Sequence, residues 1–98
     1  MVRKLDPHKL TIIAEIGEHP RRWEELVAAA KWAGSDAVKV QLWRTSHFPK
    51  GEKQKADEFN RDEFVPFVEV AHKCGILAGA SVFDPAAVWL CASHADFL

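Results

Sequence analysis

The chain has 98 residues, 48% hydrophobic and 28% charged, a globular composition with room for one small domain. Its formal net charge of −1 offers no basic field for nucleic acid or anionic lipid, so neither is expected as a partner. No apolar run approaches the roughly 20 residues needed to cross a bilayer, and Met1-Val2-Arg3-Lys4-Leu5-Asp6 turns polar too soon for a secretory leader. Cys74 and Cys91 lack metal-type spacing and sit among apolar residues. They read as buried thiols of a reducing compartment, and the expected location is cytoplasmic.

Taken in order, two patterns alternate. Leu10-Thr11-Ile12-Ile13-Ala14 is β-branched and apolar on both faces, which predicts a strand over about 10–16 covered on both sides. Pro20 opens a helical stretch whose buried face is Trp23, Leu26, Val27 and Ala30, and Gly34 stops it. A second strand is predicted over 36–43, followed by a long polar loop over 44–59. Asn60 then caps a helix, with Glu63 placed as in a capping box. Phe64, Phe67, Val68, Ala71 and Cys74 form its stripe, Pro66 should bend its first turns, and Gly75 ends it. A third strand is predicted over 76–82. Asp84-Pro85 marks an N-cap followed by proline at the first helical position, hence a short helix over about 85–92. Ala95-Asp96-Phe97-Leu98 reads as the start of a fourth strand.

The order βαβαβαβ predicts an α/β fold of parallel strands joined by right-handed crossovers. It fits either an open doubly wound sheet or part of a closed barrel. In both, ligands bind at the strand C-termini. Strand one ends in Glu15-Ile16-Gly17, strand two carries Lys39 and Gln41 on one side, and strand three reaches Ser81 with Asp84 just beyond. Lys39 is the most informative, because lysine seldom lies inside a buried strand without a partner. Asp84 reads as a helix cap before a ligand. His19 could be catalytic by type or a loop residue beside Pro20. His72 reads as structural, and Trp32 and Trp89 as packing residues. The chain has no glycine-rich phosphate loop, His-rich metal spacing or nucleophile elbow.

Three segments carry a resemblance. Ile12-Ile13-Ala14-Glu15-Ile16-Gly17 resembles the opening strand signature of the N-acetylneuraminate (sialic acid) synthases. Ala33-Gly34-Ser35-Asp36-Ala37-Val38-Lys39-Val40-Gln41 resembles that family's Ala-Gly-Ala-Asp-Ala-Val-Lys-Phe-Gln run. Gly75-Ile76 through Ala80-Ser81-Val82-Phe83-Asp84 resembles a third signature, usually Ser-Thr-Pro-Phe-Asp. The order is the family's, over about residues 10–98. The sequence departs from the pattern at Glu18-His19-Pro20-Arg21-Arg22, where the family has a longer Asn-His-Asn-Gly loop, and at Ala80, Ser81 and Val82.

The resemblance implies that residues 1–98 are the N-terminal half of a TIM-type (β/α) barrel domain. The family condenses phosphoenolpyruvate with an N-acetylhexosamine such as N-acetylmannosamine and releases phosphate. By the resemblance, Glu15 is the catalytic carboxylate that handles a proton and Lys39 holds phosphoenolpyruvate. Gln41 contacts the sugar, and Ser81 binds the phosphoenolpyruvate end. It also implies a divalent metal, manganese or magnesium, whose ligands lie beyond these residues, as do a strand-four lysine and an antifreeze-like domain. The chain alone is then expected to be inactive, needing the rest of the barrel or a homo-oligomer. The alternatives are a non-catalytic half-barrel module that pairs with another chain, or another phosphoenolpyruvate-using barrel synthase.

Overall fold

Alternation of apolar side chains along three short segments builds the sheet. The computed structural model describes residues 8–17 and 20–98, and the elements below belong to those. Strands β1 (Ile13–Ile16), β2 (Ala37–Leu42) and β3 (Leu77–Val82) form one sheet in the order β1-β2-β3, parallel throughout. Helices α1 (Trp23–Trp32), α2 (Phe64–Lys73) and α3 (Pro85–His94) follow the strands in turn. Phe97 makes a parallel bridge to Gly79, so a fourth strand begins beside β3 as the sequence predicts.

Successive strand residues point to opposite faces. Ile16, Val38, Val40, Leu42, Ala78 and Ala80 face the helices and are buried in one core with Trp23, Val27, Phe64, Phe67, Ala71, Ala87 and Cys91. Phe67 is central to it, with edge contacts to Trp23 at 5.8 Å and Phe59 at 5.7 Å. The opposite face of the sheet carries no helices among the described residues.

Both longer βα units stop their helices in the same way. Gly34 (φ 92°) and Gly75 (φ 81°) take the left-handed conformation that glycine adopts without strain. Ser35 N–H then reaches Ala30 O at 3.0 Å and Ile76 N–H reaches Ala71 O at 3.0 Å, which closes each last turn and points the chain into the next strand. A carboxylate then ties each strand start to its neighbour. Asp36 accepts from Ile12 N–H at 2.8 Å, and Asp96 accepts from Ala78 N–H at 2.9 Å. His72 is the second partner of Asp96, at 2.7 Å, which agrees with its structural reading.

Several expectations need correction. β1 starts at Ile13, and Leu10 (88% exposed) and Ile12 are uncovered, because β1 is an edge strand with one open face. The 44–59 loop holds single 3-10 turns at Thr45–His47 and Lys55–Asp57. Asn60 does cap the next turn, accepting from Asp62 N–H, but Glu63 accepts from the Trp23 indole at 2.9 Å instead of closing a capping box. A bond between helices has replaced one within a helix. Pro66 falls in the first turn of α2, where the missing N–H has no intrahelical acceptor to lose. Cys91 is buried, whereas Cys74 is only half-buried. Trp32 and Trp89 are 93% and 75% exposed, so neither packs in the core. α3 runs to His94, beyond the predicted 92.

Phe67→Ala should therefore cost about 3–5 kcal/mol in urea unfolding, the usual range for emptying a fully buried aromatic site. A loss under about 1 kcal/mol would mean that this ring is not central to the core.

Candidate functional site at the strand ends

The residues opposite the core on each strand make the site. In the register of β1 and β2, Glu15 lies beside Lys39; in that of β2 and β3, Gln41 lies beside Ser81. All four share the helix-free face, near the C-terminal ends. Lys39 Nζ is 3.1 Å from Glu15 Oε2. The Gln41 amide comes within 3.8 Å of where a side chain at Gly17 would begin, as does Glu15 Cγ, so the three meet at the top of β1. Lys39 is not buried, as its apolar neighbours suggested. It is half-exposed, because Val38 and Val40 face the helices while Lys39 faces the open side.

Gly79 lies between Lys39 and Phe97 in the same row. A Cβ there would come within 2.5 Å of the Phe97 ring, so only glycine admits that ring over the strand. The row across the open face is Glu15, Lys39, Gly79 and Phe97: an ion pair followed by an aromatic floor.

Asp84 does not join this row. Its carboxylate caps α3 by accepting from Ala87 N–H at 2.8 Å, and receives both Nη atoms of Arg61 at 2.9 and 2.6 Å. Arg61 Nη2 also donates to Leu42 O at 2.7 Å, tying the end of β2 to α3. The Arg61 guanidinium, and then the Ala87 N–H, hold the Asp84 carboxyl well below the usual carboxylate range. His47 adds a third contact, Nε2 to Asp84 Oδ2 at 3.4 Å. Its Nδ1 accepts from Arg44 N–H at 2.8 Å, which assigns the ring proton to Nε2. Glu58 is likewise held low, first by Thr45 N–H and then by the Thr45 hydroxyl. Burial pushes the Cys91 thiol up.

The sequence reading anticipated Asp84 as a cap but missed Arg61 and His47 as its partners. Only the pairing of two loops brings them together, 23 residues apart in the case of Arg61. His19, named as a catalytic candidate by type, lies outside the described residues. Among the described residues no group of three or more His, Cys, Asp or Glu side chains is placed to hold a metal ion. Nor is any described helix long and apolar enough to cross a membrane.

No protein-family model matches the chain, and no curated protein does either. Among solved structures it is similar to the spore coat polysaccharide biosynthesis protein SpsE of Bacillus subtilis, with a TM-score of 0.67 and 22% identity over 90% of this chain. The chain spans 28% of that protein's length. At this identity the likeness shows the fold: parallel strands alternating with helices, as in part of a TIM-type barrel.

The Arg61–Asp84 pair makes an acid-side prediction. A carboxyl held low in the folded state stabilises it above the unfolded value of about 3.9 and loses that effect as pH falls further. Asp84→Asn should therefore lower the thermal midpoint at pH 7, and the gap to the parent should begin to narrow below about pH 4 and go on narrowing as pH falls. An equal gap at pH 7 and pH 3 would contradict the assigned charge pairing.

Proposed function

We propose that this chain forms the strand-end wall of a sialic acid synthase-type barrel that joins phosphoenolpyruvate to an N-acetylhexosamine. The observation that carries the reading is the meeting of Glu15 and Lys39, 3.1 Å apart on the helix-free face, with Gln41 and Ser81 adjacent in register. Two further features support it: the three sequence signatures, and a fold shared with a protein named for polysaccharide biosynthesis.

Phosphoenolpyruvate is a small, multiply charged anion, so a fixed ammonium and a hydroxyl are the donors it needs. The Glu15–Lys39 pair is half-exposed, and such pairs contribute about 0–1 kcal/mol. Exchanging Glu15 for a phosphate or carboxylate oxygen on Lys39 is therefore cheap. The exchange also frees the Glu15 carboxylate for proton handling beside the reacting carbons. In the proposed reaction the methylene carbon of phosphoenolpyruvate bonds to the sugar's aldehyde carbon, whose oxygen takes up a proton. Water adds to the former enol carbon, and phosphate leaves with its bridging oxygen. In this reading Gln41 orients the sugar, Ser81 donates to the phosphoenolpyruvate end, and Glu15 carries the proton. The divalent metal of the family, manganese or magnesium, would polarise the aldehyde. The described residues offer no ligand set for it, so their share is binding and proton transfer.

Phosphoenolpyruvate should bind weakly to the purified chain in an NMR titration. Lys39→Ala should weaken binding about tenfold, and Lys73→Ala on exposed helix surface should leave it unchanged. With N-acetylmannosamine and manganese added, no sugar-dependent phosphate release is expected, because the opposite wall of the site is not among these residues. Equal binding by the parent and Lys39→Ala would overturn the assignment of Lys39. Turnover abolished by Glu15→Ala would show that these residues suffice.

A further inference from the structure

The inner face of the sheet is graded along its strands. Its base is apolar. Ile13, Ala37 and Leu77 share a row in register, and Ala37 and Leu77 are buried although neither belongs to the core on the helix side. Its rim is polar, with Gln41 beside Ser81. The row of Glu15, Lys39, Gly79 and Phe97 lies between the two. Lys39 therefore stands at a boundary, with hydrogen-bonding groups toward the strand ends and apolar surface toward the strand starts.

Along that row the chemistry changes at Gly79. On one side, Lys39 Nζ meets Glu15 Oε2 at 3.1 Å. On the other, the half-buried Phe97 ring occupies the space that a side chain at 79 would take. Cδ2 and Cε2 of the ring both lie 2.5 Å from where a Cβ would be, and so does the Phe97 carbonyl oxygen. Gly79 is not among the glycines with positive φ, so space and not backbone conformation calls for glycine here. Neighbouring strands are about 4.8 Å apart, so a ring over Gly79 borders whatever Lys39 holds.

That border is a wall without a hydrogen-bond donor. A bare inorganic anion keeps water on every oxygen, and oxygens turned to the ring would lose that water with no donor in exchange. An anion with a short hydrocarbon part can turn that part to the ring and keep its oxygens toward Lys39 and Ser81. The hydrocarbon then gains by leaving water where the inorganic ion loses.

We propose that Phe97, admitted by Gly79, is a specificity-determining residue that makes the site beside Lys39 select a small organic anion with a short hydrocarbon part over an inorganic one. This role rests on Lys39 as the anion-holding residue and adds the group that discriminates among its anions.

The test is NMR titration of the whole chain with phosphoenolpyruvate and, separately, with inorganic phosphate at one ionic strength. The parent should bind phosphoenolpyruvate more tightly. Phe97→Ala should reduce that preference about fourfold, the effect of losing the burial of roughly one methylene. Phe97→Leu should keep most of it. Gly79→Ala should reduce it too, because the added methyl displaces the ring; where thermal melting shows that variant unfolded, the two Phe97 variants decide. Lys39→Ala should weaken both ligands. A parent without preference, or a preference unchanged in Phe97→Ala, would overturn the proposal, since a ring with only a structural role would weaken both ligands alike. Lys39→Ala binding as the parent does, with the preference still reduced in Phe97→Ala, would instead count against the Lys39 assignment alone.

Discussion

Everything in this chain depends on the two-residue period of three parallel strands. In β2 the period sends Val38, Val40 and Leu42 to the helices and Lys39 and Gln41 to the open side. A slip of one residue would bury the lysine among the phenylalanines and expose three apolar side chains. That swap costs far more than any single contact in the molecule. The hydrophobic core therefore does more than stabilise the sheet. By fixing register, it decides which polar residues meet, and the Glu15–Lys39 pair is a consequence of valines packing on the other face.

A second set of interactions joins strand ends to loops. Asp36 and Asp96 pin strand starts to their neighbours, and Arg61 joins the last carbonyl of β2 to the cap of α3. Both kinds of contact satisfy backbone groups that a parallel sheet leaves unpaired at its ends. They also fix the βα loops, which line a cavity of mixed charge. The fold thus has two polar regions on its C-terminal side: the half-exposed inner face, and the cavity between loops.

The elements were legible because their signals are local. Apolar alternation located β2 and β3 to within one residue, the glycines after α1 and α2 marked both stops, and Asp84-Pro85 marked the start of α3. The inner-face residues were legible for the same reason, since the period alone places Lys39 and Gln41 together. What escaped was non-local. Glu63 has the spacing of a capping box, yet its carboxylate goes to an indole 40 residues away. Arg61 carries no local signal at all, because its role depends on Asp84 reaching it from another loop. Trp32 and Trp89 read as packing residues by type, but helical phase puts them outside, which composition does not reveal. The exposure of Leu10 and Ile12 followed from an uncovered edge, a property of the assembled sheet.

Cysteine accessibility along β2 tests the central claim most directly. Val38→Cys, Lys39→Cys, Val40→Cys and Gln41→Cys would each be labelled with a thiol reagent under native conditions, with the parent's Cys74 and Cys91 as background. The account predicts fast labelling at 39 and 41 and slow labelling at 38 and 40. Uniform rates, or the inverse alternation, would contradict the register on which the inner-face site rests.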